Sequence, residues 1–132
     1  MSRQTILDGP TPPLLWVVLD EAVLRRPVGG PAVMRHQLER LLDVARSPRV
    51  VMQVLPFAAG AHTALDGSMT LLSFTQGPDV AHLEGPYSGQ LIDRPEDVAR
   101  YTLAYHHLRA DALSPDASLT AVETAMEEVY TP

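Results

Sequence analysis

The chain has 132 residues, 45% hydrophobic and 20% charged, with a formal net charge of −6. That length suits one domain burying roughly 65% of the surface its unfolded form exposes, and the balance is far from the polar, highly charged regime of disordered chains. Cysteine and lysine are both absent, which excludes thiolate nucleophiles, disulfides, sulfur-ligated metals and any Schiff-base or covalent pyridoxal chemistry.

The opening residues Met1-Ser2-Arg3-Gln4-Thr5 run to Asp8 without the apolar stretch of a secretory signal. No segment approaches the roughly 18 apolar residues of a membrane span. The expectation is a cytoplasmic protein of one domain over residues 1–132, with residues 1–13, ending in Gly9-Pro10-Thr11-Pro12-Pro13, as a rigid extended lead-in.

Leu14-Leu15-Trp16-Val17-Val18-Leu19 is a near-continuous apolar run rich in strand formers, the pattern of a strand covered on both faces. It ends at Asp20-Glu21 and a short helical turn to Leu24, before Pro27 and Gly29-Gly30 break the chain. Pro31 suits the first turn of a helix. Met34, Leu38, Leu41, Leu42 and Ala45 then fall at helical spacing, opposite Arg35, Glu39, Arg40 and Asp43, until Ser47-Pro48. Val50-Val51-Met52-Gln53-Val54-Leu55 reads as a second strand closed by Pro56. After an Ala- and Gly-rich loop, Met69 to Phe74 and Val80 to Glu84 read as third and fourth strands. The turn Gln76-Gly77-Pro78-Asp79 makes a hairpin the simplest pairing for them.

Gln90-Leu91-Ile92 suggests a short edge strand. Asp93, Pro95, Glu96 and Asp97 then crowd a helix start, where capping and the helix dipole favour them. Val98, Tyr101, Tyr105, Leu108 and Ala112 form one stripe. Beyond the start signal Ser114-Pro115-Asp116, Leu119, Val122, Met126 and Val129 form another. The fold expected is α+β: a mixed or antiparallel sheet of about four to five strands, packed with three helices and enclosing a small-molecule pocket.

Alternate residues of a strand share a side, so His82 and Glu84 lie together with Val80, opposite Ala81 and Leu83. An imidazole and a carboxylate on an otherwise apolar face must meet water, each other or a ligand. Either that face borders solvent, or it forms a polar patch in a cavity walled by Trp16, Met52, Met69 and Leu71. The five histidines lack the spacing of a zinc site, the serines lack a nucleophile elbow, and Gly29-Gly30 is no phosphate loop. No cofactor or metal is therefore expected. Arg25-Arg26 with Arg35 and Arg40 is too small a basic cluster in an acidic chain to neutralise a phosphate backbone, so nucleic acid is not an expected partner. Arg25 and Arg26 are expected to pair with Asp20 and Glu21 or with Glu127 and Glu128.

Taken together, Asp20-Glu21 with Leu24-Arg25-Arg26, Val28-Gly29-Gly30, Gln37-Leu38 with Leu41, Val54-Leu55-Pro56-Phe57, Gly60 with His62, Leu83-Glu84, and Ala112-Leu113-Ser114-Pro115 with Ser118 carry a resemblance spanning nearly the whole chain. The sequence resembles the C-terminal domain of uncharacterised function that follows the helix-turn-helix in actinobacterial Xre-type, antitoxin-like regulators. Neither that reader nor the helical Pro-Gly-Leu-Leu-Gln-Thr segment following it is found here, so this reads as a stand-alone version. Surface uncovered by their absence would become dimer interface or open pocket, and a homodimer is expected.

Two readings in different classes follow. In the first, the chain binds an apolar small molecule and acts as a cofactor-independent cyclase of natural-product (polyketide) biosynthesis. Pericyclic ring closure needs no nucleophile or metal, only a near-attack conformer in a dry cavity. Glu84, His82 or Gln53 would supply a hydrogen bond to a substrate carbonyl, while Trp16, Met52, Met69, Leu71, His62 and Tyr87 would bind the substrate. In the second, the chain is a ligand-sensing or antitoxin-like regulatory module whose DNA reader lies on another chain.

Overall fold

A computed structural model describes residues 13–25, 29–57, 67–85 and 89–129. The lead-in up to residue 12, Arg26, Pro27, the loop containing Gly60 and His62, and Tyr87 lie outside the described residues. The order of elements is β1 (Leu14–Asp20), α1 (Glu21–Arg25), α2 (Pro31–Ala45), β2 (Val50–Leu55), β3 (Ser68–Ser73), β4 (Val80–Glu84), β5 (Gly89–Ile92), α3 (Pro95–Asp111) and α4 (Pro115–Val129). The five strands form one mixed sheet in the order β2-β1-β3-β4-β5. β1 and β2 are parallel, joined through α1 and α2, and the remaining pairs are antiparallel.

Local chemistry starts and stops the helices. Asp20 accepts the Ala22 N–H at 3.0 Å and so opens α1 directly off the strand. Gly30 precedes α2 at φ 91°, a region from which a side chain is largely barred, and Pro31 takes the first helical position. Ser114 accepts the Ala117 N–H at 3.1 Å at the start of α4. At α3 the expected side-chain cap is not formed. Arg94 is the flanking residue, and the local acids Glu96 and Asp97 instead pair with Arg94 and Arg100, each at 2.8 Å in its shortest contact.

Helices cover both faces of the sheet, giving two apolar layers. One layer joins Leu15, Val17 and Leu19 of β1 and Val50, Met52 and Val54 of β2 to Leu24, to Met34, Leu38 and Leu42 of α2, and to Val122, Ala125 and Met126 of α4. The other joins Val18, Leu55, Met69, Leu71, Ala81 and Ile92 to Val98, Tyr105 and Leu108 of α3, with Trp16, Leu83 and Tyr101 beside them. β1 is thus buried on both sides, as its unbroken apolar run requires.

The β2 edge is closed by the segment between α3 and α4. Leu113 N–H donates to the Val54 carbonyl at 2.9 Å, and Val54 N–H donates to Ser118 Oγ at 2.8 Å. Both outward backbone groups of Val54 are therefore satisfied, and Ser118 is fully buried in doing so. Gly67 lies against the Glu84–Gly85 backbone just before β3, leaving no room there for a Cβ. Arg25 reaches Glu21 at 3.9 Å and Glu128 at 3.3 Å, tying α1 to α4 as the charge pattern implies.

Candidate functional site

Strand register decides which candidate residues can meet. One row across the sheet runs Met52, Val17, Thr70, His82, Leu91, and the row before it at the Glu84 end runs Val54, Leu19, Ser68, Glu84, Gly89. These residues project to the side carrying α2 and α4. The rows Val51, Trp16, Leu71, Ala81, Ile92 and Gln53, Val18, Met69, Leu83, Gln90 project to the α3 side. A single cavity holding His82 and Glu84 together with Trp16, Met69 and Leu71 is therefore not formed: the sheet lies between the two groups. Met52 belongs to the α2/α4 core, at 3% exposure. His62 and Tyr87 fall outside the described residues.

Gln53 has a structural task. Its Nε2 donates to the Leu113 carbonyl at 3.0 Å, fastening the same segment that caps β2, while its Oε1 has no partner among the described residues. His82 stands opposite Thr70, whose buried hydroxyl also lacks a partner among the described residues. The imidazole lies over Gly89, where a Cβ would come within 3.3 Å of Nε2.

On the opposite face an open cleft of about 250 Å³ separates the sheet from α3. Trp16, Leu71, Val98 and Tyr105 give it apolar walls, and Asp79, His106 and Arg109 bring charge or titratable groups to it. Trp16 and Leu71, candidate substrate-binding residues from the sequence, line this cleft, with companions that differ from those expected. Met69 packs in the same apolar layer behind them.

Tyr105 is the distinctive member. It is only 2% exposed, yet its hydroxyl has no hydrogen-bond partner among the described residues. Burial holds its phenol above the usual 10.0, with the Arg109 charge pulling the other way, so it remains a protonated donor at neutral pH. The Arg109 guanidinium carbon lies 5.8 Å from the Tyr105 ring centroid, and the His106 ring meets that ring edge-on at 5.8 Å between centroids. Thr102 is already committed, its hydroxyl donating to the Val98 carbonyl at 2.8 Å.

The helical stripe exposed Tyr105 in the sequence as a core residue, and Arg109 follows it by one turn. What the stripe could not reveal was that Tyr105 packs without an acceptor for its proton among the described residues. Among the described residues no group of three or more His, Cys, Asp or Glu side chains could hold a metal ion, and no helix is long and apolar enough to cross a membrane.

Comparison with known proteins matches the sequence to a recognised family. Residues 1–124 match the family described as "Domain of unknown function (DUF5753)". The chain belongs to that family. No curated protein and no solved structure matches it. In this DUF5753 domain, Ser114 and Ser118 act as a helix cap and as a clamp on the β2 edge, so part of the motif pattern has a structural origin.

Proposed function

We propose that this DUF5753 domain is a small-molecule-binding module and that the cleft between the sheet and α3 is its site. The observation that carries the proposal is Tyr105: its hydroxyl is a buried donor with no acceptor among the described residues, and the residue lines the same apolar cleft as Trp16. An unsatisfied buried hydroxyl costs about 1–3 kcal/mol, and an occupant bringing an oxygen acceptor would recover that energy after a rotamer change in a lining side chain. A cavity of ~150 Å³ holds benzene, so about 250 Å³ suits a one- or two-ring compound.

Between the two functional classes, these features favour ligand sensing or regulatory binding over catalysis. The cleft is open and below the roughly 300–1,000 Å³ typical of drug-sized sites, whereas a cyclase must wrap a whole polyene. Its lining residues show no nucleophile hydrogen-bonded to a base. The resemblance to the uncharacterised C-terminal domain of Xre-type regulators is compatible with this reading, with a cytoplasmic homodimer as the acting form.

The chain has a single tryptophan, so its one indole N–H resonance reports on the cleft directly. A panel of one- and two-ring oxygen-bearing compounds should shift that resonance in wild type and less so in Tyr105→Phe. No shift with any compound at millimolar concentration would reject the site. Conversion of a linear polyketide polyene to a ring by the protein, followed by mass spectrometry and chromatography, would instead establish the catalytic reading.

A further inference from the structure

Resting on the cleft as a binding site, we infer that its ligand is a flat aromatic monocarboxylate of one or two rings, held by Arg109 at the rim and by Trp16 along its face.

The inference starts from the hydrogen-bonding inventory of the cleft. On the α3 wall Tyr105 and Arg109 are donors, while Thr102 keeps only acceptor capacity. Tyr105 and Arg109 lie one turn apart and therefore on the same side of the helix, and guanidinium offers five N–H groups and no acceptor. Thr102 has spent its proton on Val98. Arg25, Arg35, Arg46, Arg94 and Arg100 each have a carboxylate within 4.0 Å. Arg109 has none within that distance among the described residues. Instead its guanidinium carbon sits 5.8 Å from the Tyr105 centroid. Arg109 and the Tyr105 hydroxyl, one turn apart on the same helix, are two donors that a carboxylate can meet through its two oxygens.

The walls specify the rest. Trp16, Leu71, Val98 and the Tyr105 ring present flat or apolar surface, and aromatic faces gain most from an aromatic guest. The volume limits that guest to one or two rings. Asp79 lines the cleft as well, an exposed carboxylate that opposes a second negative charge. Mono- rather than dicarboxylates follow. His106 stands at the same rim.

The test is calorimetric and spectroscopic titration of the full chain with 2-naphthoate and with its neutral amide, which has the same rings. Naphthoate should bind about tenfold more tightly, the difference shrinking with added salt. It should shift the Trp16 indole resonance. Arg109→Gln should abolish the preference for the acid, Arg109→Lys should restore part of it, and Asp79→Asn should raise naphthoate affinity. Because Arg109 and Asp79 are exposed, the variants should keep the wild-type circular dichroism. If acid and amide bind equally and both shift Trp16, the ligand class is overturned while the cleft survives as a site. If neither shifts Trp16, the cleft itself is rejected. Naphthoate binding that is indifferent to Arg109→Gln would also refute the inference.

Discussion

Replacing Tyr105 with Phe deletes one oxygen and keeps the ring, so packing against the apolar layer of Val98, Leu108 and Leu71 is conserved. In most proteins this change is destabilising, since it breaks a hydrogen bond and orphans the partner. Here there is no partner among the described residues to orphan. The hydroxyl has lost its hydration and received nothing in exchange, a penalty of about 1–3 kcal/mol. Taking the low end, because the oxygen also fills space, Tyr105→Phe should stabilise the fold by about 1 kcal/mol. A domain of 132 residues has an unfolding entropy near 0.28 kcal/mol/K, so the midpoint should rise by about 3–4 °C.

Thermal and urea unfolding at neutral pH measure this effect, and pH supplies an internal check. With the folded phenol titrating above 10.0, wild-type stability holds its full Tyr105 contribution below pH 10.0 and loses it as pH rises through the raised value. The Phe variant should lack that decline. Ligand binding should move in the opposite direction to stability, weakening as the donor is lost. A variant destabilised by 1 kcal/mol or more would mean that the hydroxyl is hydrogen-bonded in solution, and the reasoning about the site would fail.

Further outcomes follow from the same geometry. Ser118→Ala should destabilise the fold by about 1–3 kcal/mol by leaving the Val54 N–H unpaired, with faster hydrogen exchange at Val54 as the specific readout. Gly67→Ala should cost more than about 2 kcal/mol in urea unfolding, because the new methyl meets the Glu84 carbonyl rather than a side chain that can turn aside. His82→Ala and Glu84→Ala should leave the Trp16 response to 2-naphthoate unchanged, since the sheet separates them from the cleft. Leu91 is 62% exposed on edge strand β5. Leu91→Lys should leave a monomer by light scattering if that edge pairs two copies, and an unchanged dimer would place the interface elsewhere.

Much of the fold was legible because its signals are local. The apolar run of β1, the helical spacing of Met34, Leu38 and Leu42, and the Gly77 turn between β3 and β4 each act within a few residues. The sharing of one strand face by His82 and Glu84 was legible for the same reason, since alternation is a property of a single strand. Assembling them with Trp16, Met69 and Leu71 required knowing how β4 and β1 align through β3, and a shift of one residue in either pairing exchanges the faces. In the sequence Gln53 is a candidate to hydrogen-bond a substrate carbonyl. Only its contact with Leu113, far along the chain, reveals it as a fastening.

The order of residues by itself determined the class of architecture, the positions of strands and helices, the exclusion of thiol and lysine chemistry, and a family pattern running through Ser114 and Ser118. Tertiary structure alone decided that Trp16 faces α3 and His82 faces away from it, and that Tyr105, with Arg109 near its ring, is buried without an acceptor among the described residues. The physical reason is range. Periodicity and capping are set by neighbours in the chain, while register, and the fate of a buried donor, depend on which distant segment lies opposite.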